Sequence, residues 1–554
     1  MPSPNPIPPI GAFLKLLNRT VCLLVLPLPC LALNPPVSLN TQGQLRYQAD
    51  AFGNTVPDFS LAGYRNGGVP LPVAPVLETL SPSSTSDDDS ARIQTALDKV
   101  ASAPSQKEDG VKGAVLLLKG NYRCAATLRL PAGVTLRGEG QDTGGTIITA
   151  TRIPKDETEK PALLCMQGEK RPLGAGAQHP VLDESVPLGA KSLRVAGAVG
   201  LAVGDDILLT RKPNALWIHE LKMDQIQKLT AGGHQWKPND YIQSWQARIL
   251  SIQGDTLVLD TPVICALEKV YDTSFVQKLG TDKRGRAAAV ESLRLVSVYA
   301  EGKENQDEAH AWSAIEIHGM VDCWVKEVTA LHFAYSCVHV FEGAARITVQ
   351  DCAMLDPVSK ITGGRRYSFY GGGQYVLFQR CYARNGRHDF VNGHGEAGPT
   401  VFLDCLAEQT HADIGPHHRW ASGQLYDNVK GGEINVQDRG PMGTGHGWAG
   451  NCQVFWNCEA TSMLCQKAWI PSAQNWALGC IAAKGKPAQT ERPDGLSDGW
   501  VKHLLPRSLY LTQLSERLAL GRQDVQKSIE QVTSPEQRRN SIWEHLQKRY
   551  ARDR

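Results

Sequence analysis

At 554 residues, with 42% hydrophobic and 21% charged side chains, the chain has the composition of an ordinary globular protein large enough for an extensive core. Its net charge of +2 offers no basic surplus for a nucleic-acid backbone, which argues against a nucleic-acid partner. A Gly-rich phosphate loop followed by Lys-Ser/Thr, a dinucleotide fingerprint and a serine nucleophile elbow are all missing, so three large enzyme classes drop out.

In chain order, Lys15 and Arg19 precede the apolar run "VCLLVLPLPCLAL", and a small-residue cleavage site ends at Ala32. This predicts a signal peptide over residues 1–32 and an exported product, secreted or periplasmic, because the apolar run is too short to span a bilayer. No later stretch reads as an integral membrane segment. An N-terminal extension follows over 33–80. Next, "DDDSARIQTALDKV" combines an Asp-Ser start with apolar Ile93, Leu97 and Val100 at helical spacing, which predicts an amphipathic helix capping an open sheet edge. "GAVLLLKGNY" and "LRLPAGVTLRGEG" then read as strand, turn, strand.

Of the fourteen cysteines, Cys22 and Cys30 fall in the leader, leaving twelve. An even number in an exported chain suggests disulfides, but the spacing suggests something else. Cys323, Cys352, Cys381, Cys405, Cys458 and Cys480 recur in matching contexts such as "VQDCAM", "FLDCLA" and "FWNCEA", at intervals of 29, 29, 24, 53 and 22 residues. A period of 22 to 29 residues, with β-branched and aromatic strands between Gly and Asn turns, is that of a solenoid. The cysteines then form one buried ladder of free thiols, one per coil.

The order of Asp-rich turn, "IQTALD" helix, "LLLKGNY" and "LPAGVTLRGEG" resembles the N-terminal cap and first coils of the pectate-lyase-like superfamily, which also holds polygalacturonase-type hydrolases and phage tailspikes. "DFSLAGYRNGGVPLP" at Asp58–Pro72 also resembles a segment of secreted members. The resemblance implies an all-β right-handed parallel β-helix, here over 81–485, and a carbohydrate-active role; it leaves the reaction open. Between about 180 and 262 the repeat is interrupted by a small antiparallel β insertion, with hairpin turns expected at Gly204-Asp205 and Gly254-Asp255. Residues 486–554 turn charged and helical, a tail expected to close the C-terminal end.

The chemistry is expected between Arg387 and Trp448, which hold six of the fifteen histidines among interleaved Arg, Asp and Gly. Imidazoles titrate near neutrality and can give or take protons. With one coil per 24 to 29 residues, the loops Arg387–Glu396, His411–Trp420 and Tyr426–Trp448 should lie side by side and form one groove. "GPHHRW" offers the Arg419 fork for a carboxylate and Trp420 for a sugar face.

Arginine, imidazole and tyrosine suit β-elimination from a uronate polymer: a cation neutralises the carboxylate, a base takes the adjacent proton and an acid protonates the leaving oxygen. The expected catalytic residues are His388, His417, Arg419, Tyr426 and His394, with His388 or His417 as base. The expected binding residues are Arg387, Asp389, His418, Trp420, Asp427, Arg439, His446, Trp448 and Lys467. Hydrolysis by two carboxylates drawn from Asp389, Glu396, Asp413, Asp427 and Asp438 is the alternative, and binding without cleavage another. No cofactor is required by the sequence; His394, His411, His417 and His418 with Asp389 or Asp413 leave a calcium or zinc ion open. The expected partner is an acidic polysaccharide, the expected state a monomer.

Overall fold

A computed structural model describes residues 35–83, 87–105, 109–519, 535–551 and 553. The expected signal peptide lies outside the described residues.

The chain from Gly113 onward winds as a right-handed parallel β-helix whose coils contribute to three faces. The first face runs from Val76–Leu80 and Gly113–Leu117 through Ala345–Gln350, Gln374–Gln379, Ala397–Leu403, Ala421–Asp427 and Gly450–Trp456 to Leu496–Ser497. The second stacks Gly120–Cys124, Thr146–Ala150, Ala353–Leu355, Tyr382–Arg384, Leu406–Glu408, Lys430–Val436 and Glu459–Cys465. The long strands Ala289–Ser297 and Trp324–Leu331 bend from one face onto the other. The third face is a seven-stranded sheet: Leu128–Leu130, Ala162–Gln167, Ser313–His318, Ser336–Val340, Phe369–Gly371, Phe390–Asn392 and Gly415–Pro416. Phe378, Phe402, Tyr426 and Phe455 stack in the interior at centroid spacings of 4.9, 5.0 and 5.0 Å.

The bend between the first and second faces explains the cysteine period. Strand pairing aligns Leu293, Val328, Cys352, Cys381, Cys405, Val429, Cys458 and Cys480 in one column. The residue before each is left-handed: Ser292, Glu327, Asp351, Arg380, Asp404, Asn428, Asn457 and Gly479 have φ between 51° and 68°. The corner leaves room for a small apolar rung, and all the cysteines in the column are buried and free. Val429 fills the rung that the 53-residue interval skips. Cys323 is a correction to the expected ladder. It precedes the paired residue Trp324 on the first face, and Val328 holds that coil's rung.

The helix Ser90–Ala101 buries Ile93, Leu97 and Val100 against the first coils, as its spacing predicts. The insertion is a six-stranded antiparallel sheet whose strands run from His179 to Lys278, past the expected limit at 262. Gly254 lies in a true hairpin turn between Gln243–Gln253 and Thr256–Leu259. Gly204-Asp205 is a turn but not a hairpin, because the preceding strand Ser192–Arg194 pairs with Thr256–Leu259. Within the tail, Leu496–Ser497 pairs with the last coil and Trp500 packs against the solenoid core, while the two helices dock on the sides. Leu509–Ala519 docks on the first face, where Tyr510 donates its hydroxyl to Ala62 O of the extension at 2.8 Å. Pro535–Tyr550 lays Trp543, Leu546 and Tyr550 on Leu355, Tyr382 and Leu406 of the second face. Extension, insertion and tail thus cover two faces, and among the described elements none of them packs across the third.

Candidate functional site

The histidine-rich loops meet at the C-terminal end of the third face. Pairing of Val391 with Gly415 sets an offset of 24 residues, so His388 enters its strand from one side and His417 leaves the next strand on the other. Their rings still meet at 4.3 Å, because that last strand is only Gly415–Pro416. His417 lies 5.1 Å from His418 and 5.0 Å from His446, and His418 lies 4.9 Å from His446 and 6.2 Å from His394. Arg419 and Trp420 turn the corner in left-handed backbone, a conformation costly for side chains of this size. The corner is pinned by Arg419 N–H to His446 O at 3.1 Å and Trp420 N–H to Trp448 O at 2.9 Å.

The imidazoles are held neutral. Burial lowers His388 and takes His417 well below its ordinary value; it brings His418 to about 2 and His446 to about 4, with neighbouring arginines and histidines adding to the shift. His394 is lowered in the same way and holds Asp240 O of the insertion at 2.8 Å. Asp413 anchors the group. Burial opposes its charge, but Arg439, which donates to both carboxylate oxygens, and His388 hold it well below the carboxylate range. His388 Nδ1 lies 2.7 Å from Asp413 O, leaving its Nε2 buried without a partner. In His417, His418 and His446 it is Nδ1 that is buried and bare.

Two tyrosines unmarked by the sequence reading complete the cluster. Tyr367 stands 5.0 Å from His388 and 5.3 Å from His417 by ring centroid; burial raises its hydroxyl, against the opposing charge of nearby Arg387. Tyr370 is nearly parallel to Tyr367, at 6.1 Å. Its hydroxyl occupies the space over Gly393, where any Cβ would collide with it. Both lie in "RRYSFYGGGQY", which reads as a turn or groove edge; carrying the coil register one strand back from Phe390 to Phe369 is the signal that finds them. Arg419 reaches Thr444, donating to its carbonyl at 2.9 Å and its hydroxyl at 2.5 Å.

Other expected site residues stand elsewhere. Tyr426 is inside the solenoid between Phe402 and Phe455, out of reach of any polymer. Asp427 accepts Ser508 Oγ at 2.7 Å and Tyr510 N–H at 2.8 Å, fixing the tail helix. Trp420 packs edge-on to Trp217 at 5.0 Å and Trp448 donates to Leu221 O, so both anchor the insertion and neither offers a face to a sugar. Asp389 does not orient His388; it is sealed against Ser368 Oγ at 2.6 Å, and burial raises it to about 7. Arg439 is spent on Asp413. Lys467 donates its backbone N–H to Pro493 O and belongs to a later coil. Among the described residues, no group of three or more His, Cys, Asp or Glu side chains is arranged to hold a metal ion.

Beside the cluster, a cavity of about 550 Å³ opens between solenoid and insertion, lined by Lys170, Arg284, Asp240, Glu342, His394 and Glu396. Burial pushes Glu396 up to about 7 while Gly393 N–H donates to it at 2.6 Å.

No family model and no curated protein matches the chain. Among solved structures, the tailspike protein gp49 of Pseudomonas phage LKA1 is 14% identical with a TM-score of 0.43, over 71% of this chain and 57% of that one; the chain thus spans just over half of the tailspike's length. Polygalacturonase from Erwinia carotovora ssp. carotovora is 10% identical with a TM-score of 0.35, over 78% of this chain and 99% of that one. DFA-IIIase from Arthrobacter chlorophenolicus A6 in complex with GF2 is 8% identical with a TM-score of 0.34, over 76% and 91%. At these scores the likeness carries no functional argument. No helix among the described residues is long and apolar enough to cross a membrane.

Proposed function

We propose that the protein cleaves an acidic, uronate-containing polysaccharide by β-elimination on the third face. The observation that carries this reading is the packing of neutral imidazoles against a tyrosine beside Arg387 and Arg419. Elimination needs the sugar carboxylate neutralised, so that the proton on the adjacent carbon becomes acidic, then a base for that proton and an acid for the leaving oxygen. The two guanidiniums suit the carboxylate. His417, less enclosed than His388, takes the proton; the electron pair forms the new double bond as the glycosidic carbon–oxygen bond breaks, and Tyr367 protonates the departing oxygen.

One observation favours a second reading. Glu396, raised to about 7, lines the same cavity as Glu342, and hydrolysis works with two carboxyl groups. Incubation with a panel of uronate polysaccharides separates the two, reading near-ultraviolet absorbance and new reducing ends together. Absorbance with new ends supports elimination; new ends without absorbance support hydrolysis; binding with neither marks a non-cleaving carbohydrate receptor.

A further inference from the structure

The third face carries more than the cluster at its end. From His417 a file of rings runs back toward the N-terminal coils: Tyr367, then Tyr335 at 5.2 Å stacked on it, then Trp312 at 5.9 Å stacked on Tyr335. Lys160 Nζ sits 3.8 Å over the Trp312 ring. Trp312 N–H donates to Pro161 O at 2.7 Å, so the file joins the coil of Ala162–Gln167. There a second cavity of about 430 Å³ opens, lined by Arg129, Arg152, Cys165, Glu316 and His318 among others. Its acid is engaged, Glu316 lying 3.1 Å from His318 Nε2. Arg152 is paired with Glu159, while Arg129 is exposed and its guanidinium donates to Gln167 at 3.0 Å. At the usual spacing the seven-stranded face is roughly 29 Å across, with this cavity over its first three strands and the cluster at its last. In the other direction the face stops. Beyond Gly415–Pro416 the chain forms an antiparallel bridge between Asp438 and Trp448 around Met442–Gly445, and the insertion clamps that loop through Thr230 Oγ1 to Gly443 O at 2.6 Å and Trp236 Nε1 to Gly445 O at 3.1 Å.

We infer that the Arg129 cavity is a distal subsite for an anionic sugar unit of the same chain that reacts at the histidines, so that the polymer lies along the third face on the N-terminal side of the reacting bond. This rests on the proposed polysaccharide substrate, though not on elimination. The distal cations and the rings beyond Tyr367 are needed only by a chain long enough to span the coils, whereas a short fragment at the cluster touches neither.

The test measures binding and turnover of the full chain with uronate oligosaccharides of graded length, for wild type, Arg129→Gln and Lys160→Gln. Long chains should bind wild type more tightly than disaccharides, and each substitution should weaken long-chain binding by about two- to fivefold, as loss of one solvent-exposed charge contact does, while leaving short-fragment behaviour unchanged. Equal binding of long and short chains by wild type, or variants that hold long chains as wild type does, overturns the subsite. Length-dependent binding sensitive to Arg129 without any unsaturated product leaves the subsite standing and removes the elimination chemistry instead.

Discussion

At the residue scale, burial decides what each histidine can do. An exposed imidazole titrates near 6.5, whereas burial brings His446 to about 4 and holds His417 well below its ordinary value. A base in this cluster is therefore unprotonated across the neutral range, and kcat/KM measured on a uronate polymer should stay flat as the pH falls through 6.5, where an exposed imidazole base would begin to lose activity. Hydrolysis with Glu396 as acid predicts the opposite limb, activity falling as pH rises through about 7. The same shifts bear on stability. Their folded values are depressed, so the unfolded chain binds more protons below pH 6.5; the stability these groups contribute is complete above that pH and is lost as pH falls toward 4. Each group contributes a slope of about 1.4 kcal/mol per pH unit in that window. Thermal melts should show the midpoint dropping between pH 6.5 and 4.5, and His446→Asn should flatten the drop. Asp413 adds a further loss below about pH 4. Tyr367→Phe should lower turnover by about 10²-fold or more while Tyr426→Phe leaves it unchanged, since only the first touches the imidazoles. The sequence showed that histidines would gather. It could not separate Tyr367 from Tyr426, because both are aromatic residues in or beside a strand, and only the direction of the side chain at that register sends one outward and the other into the core stack.

At the scale of the element, the repeated left-handed corner and its rung carry the solenoid. Cys405 Sγ contacts Leu403 O and Phe378 O at 3.4 and 3.8 Å, long distances that a shorter serine hydroxyl reaches poorly. Cys405→Ser should cost roughly 1–3 kcal/mol in urea unfolding, whereas Cys405→Val should cost less, because Val429 already occupies the neighbouring rung. The ladder was legible because burial selects for small apolar side chains once per coil. Cys323 shared the motif by chance of spelling: "MVDCWV" places its cysteine five residues before the rung, and an interval of 29 could not reveal the shift. The insertion was legible as an interruption, but the anchors that dock it were not. Trp420 and Trp448 read as sugar-facing because they neighbour histidines; buried against Trp217 and Leu221, they hold the wall of the cavity.

At the scale of the whole molecule, covering two faces and leaving the third open is what turns a repetitive scaffold into a directed surface. Extension, insertion and tail are far apart in sequence, and their convergence on the first and second faces is a tertiary event that no local pattern encodes. The neutral imidazole cluster sits at the closed end of the open face, and its chemistry is tested by one measurement: near-ultraviolet absorbance and reducing ends released from a uronate polysaccharide by wild type and His417→Ala. For wild type both signals should rise together, and the variant should lose about 10²-fold or more. Reducing ends that rise without absorbance, or a His417→Ala protein as active as wild type, would contradict that chemistry.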